Sequence, residues 1–364
     1  MKKTVITLQN VRKKMISEKH TNIGIVTLQD SPNCGARLQA FALAQVITDM
    51  GYSVFFLKSA ARNIFKIKIK HIVKSVLKRN LSAVIFHFKQ LFSYSFSNIK
   101  FHTKNFSEFQ EMKKIVLGSD EIWNISKKII SRYPFLWGKD LRPPKISYAP
   151  SINTSSLLDF EKSETLEDFK NIEAISVRDN HSKEVLEKYT NRNVDVVCDP
   201  TMLLPIEEWQ KKEKNCPETK DFILMYSYCN QLSANDIKKI KDFSEQTKLP
   251  IISALDYFPF AEQNIPLNPE LFLGYVHKAK YVITSTFHGS CFSLIYNKKF
   301  ACIAHKNQKI TELLKNFKIE ELNAVDSKSL CDVISLNTIQ QIEERKKIME
   351  TYRLDSYNWL KNHL

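Results

Sequence analysis

Glycine is scarce. The 364-residue chain holds seven, about 2% where ~7% is usual. So few glycines are expected mainly where the backbone needs them, and Gly24, Gly35, Gly118 and Gly289 sit in patterns that stand out for other reasons. Cysteine is present seven times, an odd number, with no C-x-x-C pair. Reduced, buried thiols therefore fit better than a disulfide framework or a zinc site. There is no convincing cluster of metal-ligand residues, so no metal is expected. No run of predominantly apolar residues reaches the ~18 of a membrane span. The opening MKKTVITLQNVRKK is basic but has no apolar stretch behind it. A secretory signal is therefore not expected, and the cytoplasm is the expected compartment.

Acid is missing from one region in particular. The chain carries 54 Lys+Arg against 39 Asp+Glu, a formal charge of +15. Residues 1–110 alone hold 18 Lys+Arg and 4 Asp+Glu, so nearly the whole excess belongs to the first third. Between Lys58 and Lys104 there is no acid at all. Lysines there alternate with apolar residues, and phenylalanine is frequent. The spacing predicts one or two amphipathic helices in an insertion over 58–106. Their apolar face either packs on the domain or lies on an anionic membrane surface, at the inner face of the membrane. Nucleic acid is not expected as a partner, because no nucleic-acid-binding motif accompanies the charge.

What is there is an alternation of β and α patterns. Residues 1–21 read as a basic tail. Ile23–Leu28, a turn at Ser31–Asn33, a helix over Ala36–Met50 and a strand over Tyr52–Leu57 make a β-α-β unit, which implies a parallel pair. Strands follow over Ile115–Leu117, Lys145–Ala149, Ala174–Val177 and Val194–Val197. Pro205–Asp221, charged and bounded by prolines, reads as a linker. A second α/β series begins at Phe222. It includes a helix over Ala234–Thr247 and strands over Ile251–Ala254, Tyr281–Thr284 and Ala301–Ala304. Ile339–Leu364 reads as a long helix. The predicted fold is α/β, with two Rossmann-like doubly wound domains facing a cleft in a GT-B-like arrangement. The halves are 22–205 and 206–335, with 336–364 crossing back to the first.

Strand ends are where such sheets bind ligands. Tyr281–Thr284 runs into a polar corner, Ser285–Gly289, and a helix is expected from Ser290. His288 and Gly289 therefore put a titratable ring and helix N-terminal N–H groups at one point. Gly35 is expected to let the backbone approach a ligand at the start of the first helix. It is not part of a G-x-G-x-x-G fingerprint, so dinucleotide binding is not supported. Other strands end in Ser119/Asp120, Arg178/Asp179 and Asp199/Thr201. Asp179 and Asp199 read as helix caps. Arg178 suits a phosphate or carboxylate, because its planar fork bonds either bidentately; the alternative is an ion pair with Asp179 or Asp199. Trp123 reads as core rather than as a sugar platform, and Asn33 as a turn former or a ligand contact.

Four patterns stand in one order: N-x-G-A-x-L-Q-A-x-A-L (Asn33–Leu43), L-G-S-D-E-I-W-N (Leu117–Asn124), I-S-V-R-D (Ile175–Asp179) with C-D-P-T (Cys198–Thr201), and T-x-x-F-H-G-x-x-F-S-x-x-x-N-K-x-F (Thr284–Phe300). Together they resemble the polysaccharide pyruvyl transferase family, over about residues 22–318. Cys34 stands where the family usually has tyrosine, Glu121 where it has glutamine, Ser285 where it has an acid, and Lys309 where it has arginine. The resemblance implies a GT-B-like fold and a role in surface polysaccharide assembly. It implies transfer of the pyruvyl unit of phosphoenolpyruvate to a sugar or glycan, lipid-linked or free, as a ketal. Phosphoenolpyruvate would be the donor substrate, with no cofactor. That chemistry needs cations for the donor's anionic groups and a proton for its methylene carbon. Arg178 is expected to hold phosphate or carboxylate, His288 to give the proton or bind phosphate, and Asp120 to orient or deprotonate a sugar hydroxyl. The backbone at Gly289 and Ser290 is expected to meet phosphate, with Asn33, Gly35, Ser119 and Lys309 as further substrate contacts. Two other readings compete: a GT-B sugar-nucleotide glycosyltransferase, and a non-catalytic relative that binds a glycan or membrane surface.

Overall fold

The computed structural model describes residues 21–58, 80–126, 133–163, 165–305 and 307–364. The basic tail and the first of the two amphipathic stretches, within 59–79, lie outside the described residues. Two all-parallel sheets carry the fold. The first contains β1 (Asn22–Val26), β2 (Ser53–Leu57), β3 (Thr103–Lys104), β4 (Lys114–Leu117), β5 (Lys145–Ser147), β6 (Ile172–Val177) and β7 (Asp195–Val196), in the order β3-β2-β1-β4-β5-β6-β7. The second contains β8 (Ile223–Tyr226), β9 (Ile251–Ser253), β10 (Gln263–Asn264), β11 (Tyr281–Thr284) and β12 (Lys299–Cys302), in the order β10-β9-β8-β11-β12. Both are doubly wound. The strand order reverses between β1 and β4 in one sheet and between β8 and β11 in the other, and a crevice opens at each reversal. Register there is in step, Val26 facing Leu117 and Thr284 facing Tyr226.

These strands are short apolar runs buried on both faces, as parallel strands require. Ile23, Ile25, Val116, Ile146, Ile223, Leu224, Val282 and Ile283 are fully buried. One continuous hydrophobic core runs from Ile23 through Phe222 to Leu360, so the two halves share it. A second core fills the other face of the first sheet, around Trp123, Phe160 and Phe169. Trp123 is fully buried and donates its indole N–H to the Leu136 carbonyl.

The stretch expected as a free linker is a packed element. Ile206–Gln210 forms a short helix, and Trp209 is fully buried. Its rings lie 5.9 Å from Phe41 of the first half and 5.1 Å from Phe292 of the second. The one apolar anchor among charges outweighs the linker-like composition. The helix Leu81–Ser93 is also tied across the seam. Gln90 and Ser93 both donate to the Leu267 carbonyl, and Glu270 accepts from Ser97 and from the Asn98 and Ile99 amides.

The C-terminal helix spans Ile339–His363. It starts beside the second half, where Arg345 meets Asn337. It ends on the first, where Ser356 accepts from the Cys198 amide, Trp359 donates to Asp195, and Lys114 donates to the His363 carbonyl. No described helix is long and apolar enough to cross a membrane.

Candidate active site

The two crevices face each other across one cavity of about 310 Å³. Asn33, Asp120 and Arg178 reach it from the first half; Tyr226, Tyr228, Thr286, Phe287, His288 and Lys309 reach it from the second. The ends of β4, β6 and β11 thus deliver Asp120, Arg178 and His288 to the same place.

Arg178 follows β6 and is almost wholly buried. One terminal nitrogen donates to Asp199 Oδ2 at 2.9 Å, and the guanidinium carbon lies 4.3 Å from the centre of the Phe287 ring. Its Nε and second terminal nitrogen are buried with no hydrogen-bond partner. An arginine with two idle donors at the wall of a polar cavity has the chemistry of a bidentate anion clamp. Left unmet, each such donor costs about 1–3 kcal/mol. Burial works against the charged guanidinium, but Asp199, Asp120 and Asp179 more than offset it and hold the proton on.

His288 stands beside this pair, its Nε2 at 3.7 Å from the same Asp199 oxygen and with no hydrogen bond of its own. Asp199 is the residue the sequence reading passed over. It does cap the turn after β7, Oδ1 accepting from the Thr201 amide and hydroxyl. Its other oxygen faces Arg178 and His288. Burial pushes its carboxyl up, but His288, Arg178 and the Thr201 amide together hold it well below the usual carboxylate range. The site thus keeps one fixed negative charge between a permanent cation and a titratable ring.

The helix that carries His288 begins earlier than the corner suggested. It spans Phe287–Ile295 with Thr286 as N-cap. The Gly289 amide bonds the Thr286 hydroxyl and the Ser290 amide bonds the Thr286 carbonyl. Gly289 and Ser290 are therefore not the phosphate donors expected. The first-turn amides of Phe287 and His288 are the ones without an intrahelical acceptor, and both residues line the cavity. Gly289 serves packing instead: a Cβ there would lie 2.2 Å from the Thr284 hydroxyl oxygen.

Gly35 is corrected in the same way. It does not line the cavity. A Cβ on it would fall 2.2 Å from Cγ of His288, so the helix Cys34–Asp49 leans directly on the imidazole. Ser119 is fully buried beneath the site and donates to the Ala149 carbonyl. Asn33 lines the cavity, but as the cap of its helix, its Oδ1 accepting from Ala36 and its amide donating to Tyr228. Asp120 has φ 74°, in the left-handed region, and spends Oδ1 on the Glu121 amide. Lys309 forms an ion pair with Glu121 across the two halves. Ser285 donates to Gln231 Oε1 at 2.7 Å. Among the described residues, no three metal-ligating side chains come together.

Solved structures similar in fold include two UDP-GlcNAc 2-epimerases. UDP-GlcNAc 2-epimerase from Neisseria meningitidis, bound to UDP-GlcNAc, superposes with a TM-score of 0.53 over 94% of this chain and 99% of its own, at 7% identity. The UDP-GlcNAc 2-epimerase of Methanocaldococcus jannaschii gives 0.51 over 90% and 92%, at 10% identity. At such identity the likeness is one of fold, the GT-B arrangement of two Rossmann-like halves. No curated protein sequence matches the chain. The model of the polysaccharide pyruvyl transferase family matches residues 33–307, from the cap Asn33 to Asn307 on the cavity wall. With three quarters of its length inside that match, the chain belongs to the polysaccharide pyruvyl transferase family.

Proposed function

We propose that the protein transfers the pyruvyl unit of phosphoenolpyruvate to two hydroxyls of a sugar, giving a cyclic ketal and phosphate. One observation carries this reading: a buried arginine with two unpartnered donors, beside a histidine, in a cavity of about 310 Å³. That volume sits at the small end of ligand cavities, roughly 300–1,000 Å³. It fits a compact polyanion better than a whole nucleotide sugar.

In this reading Arg178 holds the carboxylate or phosphate through Nε and its second terminal nitrogen. The Phe287 and His288 amides meet the phosphate at the helix N-terminus. His288 gives a proton to the methylene carbon, and positive charge grows on the adjacent carbon. Asp199 steadies the imidazolium before transfer, and Asp120 turns a sugar hydroxyl toward the cationic carbon. The carbon–oxygen bond to phosphate breaks, and the second hydroxyl closes the ring. Two protons leave the sugar; one ends on the new methyl group and one on the departing phosphate.

The test incubates the protein with phosphoenolpyruvate, or with UDP-sugars, and candidate glycans. Phosphate release is expected with phosphoenolpyruvate plus a glycan and not with a UDP-sugar, and His288→Ala is expected to lower it at least a hundredfold. Nucleotide release from a UDP-sugar, or full activity in the variant, overturns the assignment.

We further propose that the protein works at an anionic membrane surface. On the helix Leu81–Ser93, the exposed residues Leu81, Ile85, Phe88 and Phe92 recur every three or four positions, and Phe96 extends the stripe. The opposite side holds Phe86, His87 and Leu91 in the core. An apolar stripe in a region rich in lysine suits an anionic bilayer, which supplies both the apolar depth and the opposite charge. Sedimentation with vesicles containing phosphatidylglycerol is expected to bring the protein down, and phosphatidylcholine alone is not. Phe88→Glu with Phe92→Glu is expected to cut the bound fraction severalfold; equal binding by the variant would sink the idea.

A further inference from the structure

A second cavity, of about 720 Å³, opens beside the first. The two share Glu121, Gln231, Asn307 and Lys309 as a common wall. The rest of the second is lined by the neutral amides and hydroxyls of Asn153, Thr154, Asn230, Ser233 and Ser285, together with apolar Leu232 and Ile303 and the ring of His305. Its charged groups are spoken for. Lys309 is paired with Glu121, and His305 is bonded at 2.6 Å to Asp236, which is itself buried in the cap of the helix Ala234–Thr247. The contrast is chemical. The small cavity offers unpaired donors on a buried cation. The large one offers mixed donors and acceptors with no charge left over among the described residues. Ser285 sharpens it: its hydroxyl binds the Gln231 oxygen, which leaves the Gln231 NH₂ as the group a ligand oxygen can meet.

We propose that this second cavity is the acceptor subsite, and that it takes the ring of an uncharged hexose. The inference rests on the pyruvyl-transfer reading and adds the acceptor's place and class. Alternating donors and acceptors match a ring of hydroxyls, each of which both gives and takes a hydrogen bond. Such a site rejects a ligand that lacks the hydroxyls or brings unpaired charge. The shared wall puts a sugar in the second cavity next to a donor in the first. Among the described residues a nucleotide or lipid diphosphate has no unpaired cation to meet here, so it would leave its charge outside this cavity.

The experiment uses the full chain and two separate readouts. Affinity for phosphoenolpyruvate is measured by calorimetry. Binding of methyl β-D-galactopyranoside, methyl β-D-glucopyranoside and methyl N-acetyl-β-D-glucosaminide is measured by saturation-transfer NMR, with uridine diphosphate as the charged comparison. At least one glycoside is expected to bind in the presence of phosphoenolpyruvate. Asn230→Leu with Ser285→Ala is expected to weaken that glycoside about tenfold, the scale of one or two lost hydrogen bonds. The dissociation constant for phosphoenolpyruvate is expected to move less than twofold. The subsite alone is overturned if phosphoenolpyruvate binds and no glycoside does, if uridine diphosphate displaces the glycoside, or if the double variant binds it unchanged. Failure of phosphoenolpyruvate itself to bind removes the pyruvyl reading, and this inference with it.

Discussion

Asp199 shows how much one carboxylate can do when its two oxygens face different ways. Read in the chain, Asp-Pro-Thr is a turn cap, and Oδ1 is one. Nothing in the local sequence tells where Oδ2 points. That depends on a strand 21 residues earlier and on a helix from the other half. The two glycines were misplaced for a related reason. A missing Cβ signals a close approach, but the partner is set by the fold; for Gly35 it is the His288 ring and for Gly289 the Thr284 side chain. Asp199→Asn keeps the shape and removes the charge from a buried pair. Unfolding in urea at pH 7 is expected to show a loss of about 3–5 kcal/mol. Because the folded carboxyl titrates below its unfolded value of about 3.9, its contribution is complete above about pH 4. It drains away as the pH falls toward the depressed folded value. The gap between wild type and variant should therefore narrow in acid; a constant gap from pH 7 to pH 3 would contradict this account.

At the scale of elements, the alternation of β-branched runs and helical patterns placed every strand of the two sheets except β3 and β10 to within a few residues. Those runs are long enough to be unambiguous and are buried on both faces. The helix Phe287–Ile295 was read three residues short, because Phe-His-Gly is a poor helix start by propensity and the Thr286 cap decides it. Two-residue strands such as β3 and β10 have no pattern to read. They exist because a neighbouring edge accepts them, as Phe56 and Leu57 accept Thr103 and Lys104. The loop after the helix Leu81–Ser93 owes its course to Glu270, which takes hydrogen bonds from Ser97, Asn98 and Ile99 while buried. Glu270→Ala strands the Asn98 amide and the Ser97 hydroxyl and leaves the Ile99 amide only the Ser97 hydroxyl as acceptor. It is expected to cost about 2–4 kcal/mol by chemical denaturation and to raise amide exchange over 97–99. Unchanged protection there would show that the carboxylate is not what orders the loop.

For the whole molecule, the reading of two Rossmann-like halves in a GT-B arrangement was within reach of the sequence, because element order alone prescribes it. The seam was not. Its bonds join residues more than a hundred positions apart: Asn33 to Tyr228, Gln90 to Leu267, Glu121 to Lys309. Trp209 fills the join between Phe41 and Phe292, and one core passes through both halves. Calorimetry is therefore expected to show a single unfolding transition with matching calorimetric and van't Hoff enthalpies, not two. Two resolved transitions would mean that the shared core does not couple the halves.

Glu312 gives this seam a mechanical meaning. It sits on the helix Gln308–Asn316 of the second half, and its carboxylate accepts from the Asn180 and His181 amides. Those amides open the helix that directly follows Arg178. A clamshell swing between the halves would uncap that helix, part Lys309 from Glu121 and pull Gly35 off the imidazole in the same stroke. Gaping is thus costly in several places at once.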